Sequence, residues 1–523
     1  MMNAEQFDGG TAMTPECKKV LPLFGLDKSI PAASTGRTLI TGKGPQDTSI
    51  SPIDGKAVAS FAQADGTQRE QVVKTALEGF KTWRTVPVPA RAAVLISLAA
   101  ELRARKDDLA QVMCLEMGKP LREAKGEIED SAITATYAAG LARTIGGLDA
   151  PSARADVQLI EKWHPLGAIL VITAFNFPIS LWAWNACVAI LCGNSVIWKP
   201  APQTPLFSAA VAKVIADVLA KHPEVPEGVF SLVMGTNEDV AIPLVNDTRL
   251  PLISATGSTA MGQAVGKAAG ARLATCILEL GGNAAAIFSD KADMEVSLRT
   301  AFIAALSNGG QRCTALRRLL VHTSRFDEVV RRLKVAYNSL SVADFGSDGL
   351  TLPPLVDAKA KAMFDAKIEQ LKGQKGVTLF RPNTHIPTEG CYVAPYMAIL
   401  DADTPQPQDE TFGPLLYVQP YSTFEDALEK CNGVEQGLSS GIFSNDLREV
   451  ARFTGATGSD SGMVSVNDNT GGLEVALAFG GTKMSGLGSE KGSDSWKQYM
   501  RRQSIVMNTS TTPPADLGID FGK

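Results

Sequence analysis

Residues 168–198 constrain the fold more than any other stretch. Ala168 to Thr173 is an unbroken apolar run, the pattern of a strand buried on both faces. A helical segment follows from Pro178 to Leu191 and is stopped by Gly193-Asn194, because glycine takes the left-handed turn that ends a helix. Ser195 to Trp198 is apolar again. Strand, helix and strand in this order form a β-α-β unit, and a helical crossover makes the two strands parallel. The wider segment from Gly167 to Trp198 is the most apolar of the chain. Asn176, Pro178, Asn185 and Gly193-Asn194 interrupt it, so it reads as buried core and not as a membrane span.

The alternation continues downstream. Thr204-Pro205 opens a helix with proline at its first position, and Phe207, Val211, Val214 and Val218 form its apolar stripe. Val229–Met234 and Pro251–Ser254 read as further strands. The pattern is that of a doubly wound α/β domain. A second series begins after residue 280: strands at Asn283–Phe288, Leu319–His322 and Val377–Phe380, and a helix from Phe326 to Leu340. It predicts a second α/β domain.

Upstream, residues 1–36 read as a loosely patterned extension. Ile50 to Lys56 reads as strand, turn and strand, with Asp54-Gly55 as the hairpin signal. Thr67-Gln68-Arg69-Glu70 reads as a capping box ahead of the stripe Val73, Ala76, Leu77 and Phe80. Ala90–Met117 is expected to be helical, and Leu121–Arg143 to be a helix whose Glu127, Glu129 and Asp130 lie on a solvated face. Asp156–Trp163 reads as a half-exposed strand. The tail strand at Gln498–Asn508 is expected to leave the main body and pair with another subunit, since an open strand edge templates pairing.

Composition narrows the function classes. The chain has 523 residues, 45% hydrophobic and 20% charged, with a net charge of -5. That length accommodates two large domains plus extensions, and the charge argues against a nucleic-acid partner. The eight cysteines form no CxxC pair and there are four histidines. A disulfide scaffold and a zinc site are therefore not expected, and a reducing compartment is. Met1–Ala12 holds Glu5 and Asp8 and has no apolar run, so no signal peptide is expected.

Chemistry concentrates in six short stretches. Ser307-Asn308-Gly309-Gly310-Gln311-Arg312-Cys313-Thr314-Ala315 presents a cysteine on a glycine turn beside a cation, surroundings expected to favour a thiolate. A lone cysteine is otherwise a small core residue. Asn176 follows a buried strand, where ligands bind in open α/β sheets, and its amide can hold an oxyanion. By itself it reads as a turn asparagine. Lys199 ends the next strand, within reach of a ribose or phosphate. Gly257-Ser258-Thr259-Ala260-Met261-Gly262 follows another strand and opens a helix, a place where backbone N–H groups bind anions. Glu279 stands among apolar residues beside Gly281-Gly282, where burial raises its pKa toward that of a general base. Glu410-Thr411-Phe412-Gly413-Pro414 adds an acid and an aromatic on a loop.

Together and in this order, Asn176, Lys199, the 257–262 turn, Glu279, Cys313 and the 410–414 loop resemble the motif set of the aldehyde dehydrogenase superfamily over roughly residues 40 to 510. Thr173–Pro178, Gly310–Thr314, Gly458-Ser459-Asp460 and Gly492-Ser493-Asp494-Ser495-Trp496-Lys497-Gln498-Tyr499-Met500-Arg501-Arg502 are similar to the antiquitin group within it. The resemblance implies an aldehyde dehydrogenase fold. A Rossmann-like NAD-binding domain would span 1–151 and 166–277, a catalytic domain 278–475, and a β-strand oligomerisation extension 152–165 and 496–523. It implies a cytoplasmic homotetramer, a dimer of dimers, that takes a small aldehyde and NAD, with no nucleic acid, membrane or metal involved.

The same resemblance implies the roles. Cys313 is the nucleophile, Asn176 the oxyanion donor and Glu279 the base for the hydrolytic water. Thr173, Ala174, Phe175, Lys199, Gly257, Ser258, Leu280, Glu410 and Phe412 would hold NAD. Asp130, Phe177, Arg312, Gly472, Leu473 and Phe479 would hold the substrate, an aldehyde with an amino acid head group, the semialdehyde of lysine catabolism. Asp130 stands where the group carries the longer glutamate, Leu473 where alanine is expected, and Pro202 where many superfamily members carry a ribose-binding glutamate. Rival readings are a dehydrogenase for another semialdehyde such as succinic or glutaric, a CoA-acylating enzyme, against which Glu279 argues, and a binding protein that kept the fold.

Overall fold

The first β-α-β unit seeds an eight-stranded sheet. The computed structural model describes residues 17–343, 349–472, 474–512, 517–520 and 522. Ala168–Ile172 pairs in parallel with Ser195–Lys199 on one side and Leu252–Thr256 on the other. Phe230–Val233 and Thr275–Glu279 extend the parallel set outward. Strand order therefore reverses at Ala168–Ile172, with one chain direction running left and the next right. A crevice opens beyond the carboxyl ends of the two strands that diverge there, and ligands of open α/β sheets bind in such crevices. Antiparallel strands close both edges: Pro31–Ser34 and Leu39–Thr41 at one, Gly486–Leu487 at the other.

The second sheet has seven strands, from Val377–Phe380 at one edge to Met463–Val466 at the other, around a centre of Arg318–His322 and Ala285–Phe288. All its pairings are parallel except that of the Val377–Phe380 edge. The chain passes from sheet to sheet between Glu279 and Ala285, so Glu279 stands at the junction.

The Ser180–Cys192 helix explains why its sequence is apolar all round. Every residue in it except Trp184 is buried, between the first sheet and the Val88–Ala104 and Leu121–Gly140 helices. A helix with no wet face has no use for a polar stripe. Trp83 ties it down by donating its indole N–H to the Ile190 carbonyl at 2.9 Å.

Several sequence expectations shift. The tail strand Met500–Asn508 also has a partner within its own chain: it pairs antiparallel with Val157–Pro165 and forms the open edge of a three-stranded sheet. The capping box begins at Asp65, with Gln68 as its reciprocal partner, because Asp65 lies in the extended backbone that a cap requires. Ala90–Met117 is two helices, Val88–Ala104 and Lys106–Met117, broken at Arg105. Of residues 1–36, residues 17 onward are described, and Pro31–Ser34 is wholly buried in the first sheet.

The largest revision concerns the Leu121–Gly140 helix. Its Glu127 is not solvated: its side chain is 0% exposed and pairs with Lys119, itself 1% exposed. Glu127 Oε1 also accepts the Ile179 and Ser180 N–H groups at 2.9 and 3.2 Å. Lys119 Nζ donates to the Asn176 carbonyl at 2.9 Å and lies 4.0 Å from the centre of the Phe177 ring. Burial raises the Glu127 pKa and the Lys119 charge opposes it. Removing one partner of such a pair strands the other in a dry interior. Lys119→Met is therefore expected to destabilise the fold by about 3–5 kcal/mol in urea unfolding. A loss under about 1 kcal/mol would show that the pair does not tie the helix to the Asn176 turn.

Candidate active site

The cysteine loop is built on backbone strain. Asn308, Gly309 and Gly310 take φ of 52°, 62° and 71° in succession, a left-handed run that costs about 1–2 kcal/mol for each residue with a Cβ. At Gly310 a Cβ would also collide with the Gly413 carbonyl. Glu123 accepts the Asn308 N–H at 3.0 Å. The buried Gln311 amide spans the loop: it donates to Asn308 and Pro354 carbonyls, both at 3.2 Å, and accepts the Val356 N–H at 2.9 Å. These bonds hold the turn that presents Cys313. Gly282 runs so close to the Cys313 carbonyl that any Cβ there would overlap it. The Cys313 side chain packs on the Leu438, Met463 and Phe479 cluster, which Trp184 also touches.

Cys313 opens into a cavity of about 1010 Å³. Both sheets wall it. Asn176 follows the Ala168–Ile172 strand and Gly257-Ser258 follow Leu252–Thr256, at the point where strand order reverses; Glu279 ends the next strand. Cys313, Asn176 and Glu279 all line this one cavity. So do Ala174, Phe175, Gly257, Ser258, Leu280, Glu410 and Phe412 of the expected cofactor set, and Asp130, Phe177, Arg312 and Phe479 of the expected substrate set.

The remaining expected site residues lie elsewhere. Thr173 and Lys199 are buried and do not line the cavity: the Thr173 hydroxyl accepts the Trp198 indole N–H at 2.9 Å, and burial lowers the Lys199 pKa to about 8. Gly472 is exposed and is not part of the cavity wall. Its neighbour Gly471 is, and a Cβ there would crowd the Thr314 hydroxyl and the Arg312 guanidinium. Leu473 lies outside the described residues.

The electrostatics reverse one expectation. Burial pushes the Cys313 thiol up to about 12, with Glu410, Glu279 and Glu490 adding to the rise and Arg312 opposing it. The adjacent cation does not make a resting thiolate, because three carboxylates and a dry wall outweigh it. Glu279 is raised well above the ordinary carboxylate range by burial and by Glu490, and both its oxygens lack hydrogen-bond partners. Glu490 is held at about 7, chiefly by burial, and accepts the Thr256 hydroxyl. Glu410 is raised to about 7 by burial, against the pull of Arg317, whose guanidinium lies 3.8 Å away. Phe412 meets Phe175 edge to face, with ring centres 5.9 Å apart.

Sequence reading missed Lys119, Glu127, Trp184, Thr256, Glu490 and Lys491. For Glu127 a signal existed. Glu123, Glu127 and Asp130 recur at intervals of four and three and so share one helix face, and all three line the cavity. Glu490 and Lys491 sit in a glycine-rich loop with no periodicity, so nothing local marks them. Among the described residues there is no cluster of metal-ligating side chains and no helix long and apolar enough to cross a membrane.

Comparison with known proteins agrees with this geometry. The aldehyde dehydrogenase family pattern matches residues 40–505. Alpha-aminoadipic semialdehyde dehydrogenase of Bos taurus is 40% identical, over 92% of this chain and 89% of that protein. Aldehyde dehydrogenase family 7 member B4 of Arabidopsis thaliana is 39% identical, over 92% of this chain and 94% of its own length. The fold matches betaine aldehyde dehydrogenase of Staphylococcus aureus, solved with NAD+, at a TM-score of 0.87 and 23% identity, covering 95% and 98% of the two chains. The chain belongs to the aldehyde dehydrogenase family.

Proposed function

We propose that this protein oxidises α-aminoadipic semialdehyde, in equilibrium with piperideine-6-carboxylate, to α-aminoadipate in lysine catabolism, using NAD. The observation that carries the reading is the convergence of Cys313, Glu279 and Asn176 on one cavity. The substrate is supported by the similarity to alpha-aminoadipic semialdehyde dehydrogenase of Bos taurus, and NAD by the NAD+ complex of the structural neighbour.

The residues fit a dinucleotide. Gly257 and Ser258 precede the Thr259–Ala271 helix, whose first turn Ser258 caps by accepting the Met261 N–H at 3.2 Å. Gly262 lets that helix close onto Leu280. Glu410 Oε1 is buried without a hydrogen-bond partner, an acceptor suited to a ribose hydroxyl, and Phe175 and Phe412 offer apolar surface beside it. Bound there, NAD supplies an acceptor for the hydride that leaves the aldehyde carbon.

The rest of the chemistry belongs to the chain. The Cys313 thiol gives its proton to water, and its thiolate Sγ attacks the aldehyde carbon. The Asn176 amide and the Cys313 N–H hold the oxyanion in a dry site. Loss of the hydride leaves a thioester on Cys313, and Glu279 takes a proton from the water that cleaves it. Lys199, buried and not lining the cavity, would contact the adenosine ribose.

We assign residues 1–151 and 166–277 to NAD binding, 278–475 to catalysis, and 152–165 with 496–523 to oligomerisation, a division that the three sheets support except where the Thr275–Glu279 strand crosses residue 277 and Gly486–Leu487 returns to the first sheet. The outer edge of Met500–Asn508, with Val506 63% exposed, supports a homotetramer. A second reading, a dehydrogenase for succinic or glutaric semialdehyde, draws on Asp130. Its Oδ2 already accepts Ser180 Oγ at 2.9 Å and Trp184 Nε1 at 2.8 Å, which leaves less of it for a substrate ammonium. The test is NADH formation with α-aminoadipic and succinic semialdehydes in parallel. A kcat/KM preference of about tenfold or more for the amino acid aldehyde, worth about 1.4 kcal/mol, is expected. Equal or reversed preference moves the chain to the second reading.

A further inference from the structure

One buried cation in the cavity takes no part in the mechanism above. Lys491 is 1% exposed and lines the cavity. Its backbone is pinned by a β-bridge to Phe479: the Phe479 N–H donates to the Lys491 carbonyl at 3.1 Å, and the Glu490 N–H to the Phe479 carbonyl at 3.0 Å. Its ammonium lies 4.4 Å from the centre of the Trp184 ring, and Trp184 packs against Phe479 with centres 4.9 Å apart and the rings tilted by 44°.

Among the described residues this ammonium donates no hydrogen bond and forms no ion pair. Lys119, equally buried, has both. The acids that face Lys491 are Asp130 and Glu490, and neither forms an ion pair with it: Asp130 Oδ2 is engaged by Ser180 and Trp184, Glu490 Oε1 by Thr256, and Glu490 Oε2 is buried without a partner. An ammonium has three donors and no acceptor, and burying it without oxygens around it is unfavourable. The cavity is where oxygens can come from. Arg312 faces the same space, its guanidinium 5.4 Å from the Phe177 ring centre and its Nε without a partner. Cys313 and Trp184 pack on one cluster, Leu438, Met463 and Phe479, so Lys491 stands one aromatic layer from the reacting sulfur.

We propose that Lys491 is a specificity-determining residue that binds the substrate's carboxylate together with Arg312, so that the site selects aldehydes carrying a carboxylate at the end remote from the reacting carbon, with or without an amino group. This rests on the aldehyde-oxidising reading above and names the head group it takes. Asp130 then orients Trp184 and Ser180 and balances the Lys491 charge, and the ammonium of an amino acid aldehyde adds less than its carboxylate does.

The test compares wild type, Lys491→Met and Lys491→Arg on glutaric semialdehyde and on pentanal, which has the same chain length without the carboxylate. Lys491→Met is expected to raise KM for glutaric semialdehyde roughly 10- to 100-fold and to leave pentanal within about threefold, while Lys491→Arg restores the carboxylate preference. Glutarate binding to the enzyme, read by calorimetry, should weaken by the same factor in Lys491→Met. Lys491→Gln replaces Lys491→Met if the latter unfolds. The inference is overturned if both aldehydes suffer equally, which marks a structural role, or if glutarate binding is unchanged. Should wild type oxidise neither aldehyde while Lys491→Met still loses glutarate binding, the function fails and the carboxylate site stands.

Discussion

Replacing Cys313 with alanine is expected to lower kcat for every aldehyde by at least about 10⁴-fold, since no other group can form the covalent intermediate. The resting state of this thiol makes a second outcome testable in the wild type. A thiol pushed up to about 12 is ionised to only about one part in 10⁴ at pH 8, and the thiolate alone is alkylated. Iodoacetamide labelling of Cys313 should therefore climb about tenfold per pH unit from pH 7 to 9 without levelling. The sign follows from the cause: burial and the neighbouring carboxylates both favour the neutral form, so the reactive form appears only as pH rises. A plateau near neutral pH, followed by peptide mass spectrometry, would mean that Arg312 outweighs the three acids and that the thiolate is preformed.

For Glu279→Gln the expectation is a stalled enzyme. Loss of a general base slows its step by about 10²–10⁴-fold. With hydrolysis slowed and thioester formation intact, mixing enzyme, NAD and aldehyde should release one NADH per site in a burst and then nearly stop. Intact mass measurement should find the acyl group on Cys313. The wild-type rate should rise with pH along a limb set by Glu279, which ionises well above the ordinary carboxylate range because it is buried beside Glu490. The variant loses that limb. A first turnover slowed as much as the steady state would assign Glu279 to the Cys313 proton instead of the water. Folding should not suffer, since the change removes a buried carboxylate whose oxygens have no partner.

The local features read correctly from sequence share one property: each depends on a few neighbouring residues. The continuous apolar run at Ala168–Ile172 marks a strand buried on both faces. Pro205 marks a helix start, and Gly118 and Gly193 end helices with φ of 71° and 98°. Where the reading slipped, a residue's partner was distant. Glu127 looked like part of a wet face because its ion pair and amide donors lie on other segments. Nothing local in the tail strand marks its in-chain partner, Val157–Pro165, which precedes it by more than 300 residues.

Chain order by itself thus determined the fold class and singled out the candidate reacting groups, because secondary-structure periodicity and short motifs are written in adjacent residues. Only the tertiary structure decided their state. It placed Cys313 among Glu279, Glu410 and Glu490, so that desolvation and like charge, not the adjacent arginine, set its protonation. It brought Lys491 from a featureless loop to Trp184 in the cavity wall. Burial and long-range charge are properties of the packed chain, and no local pattern encodes them.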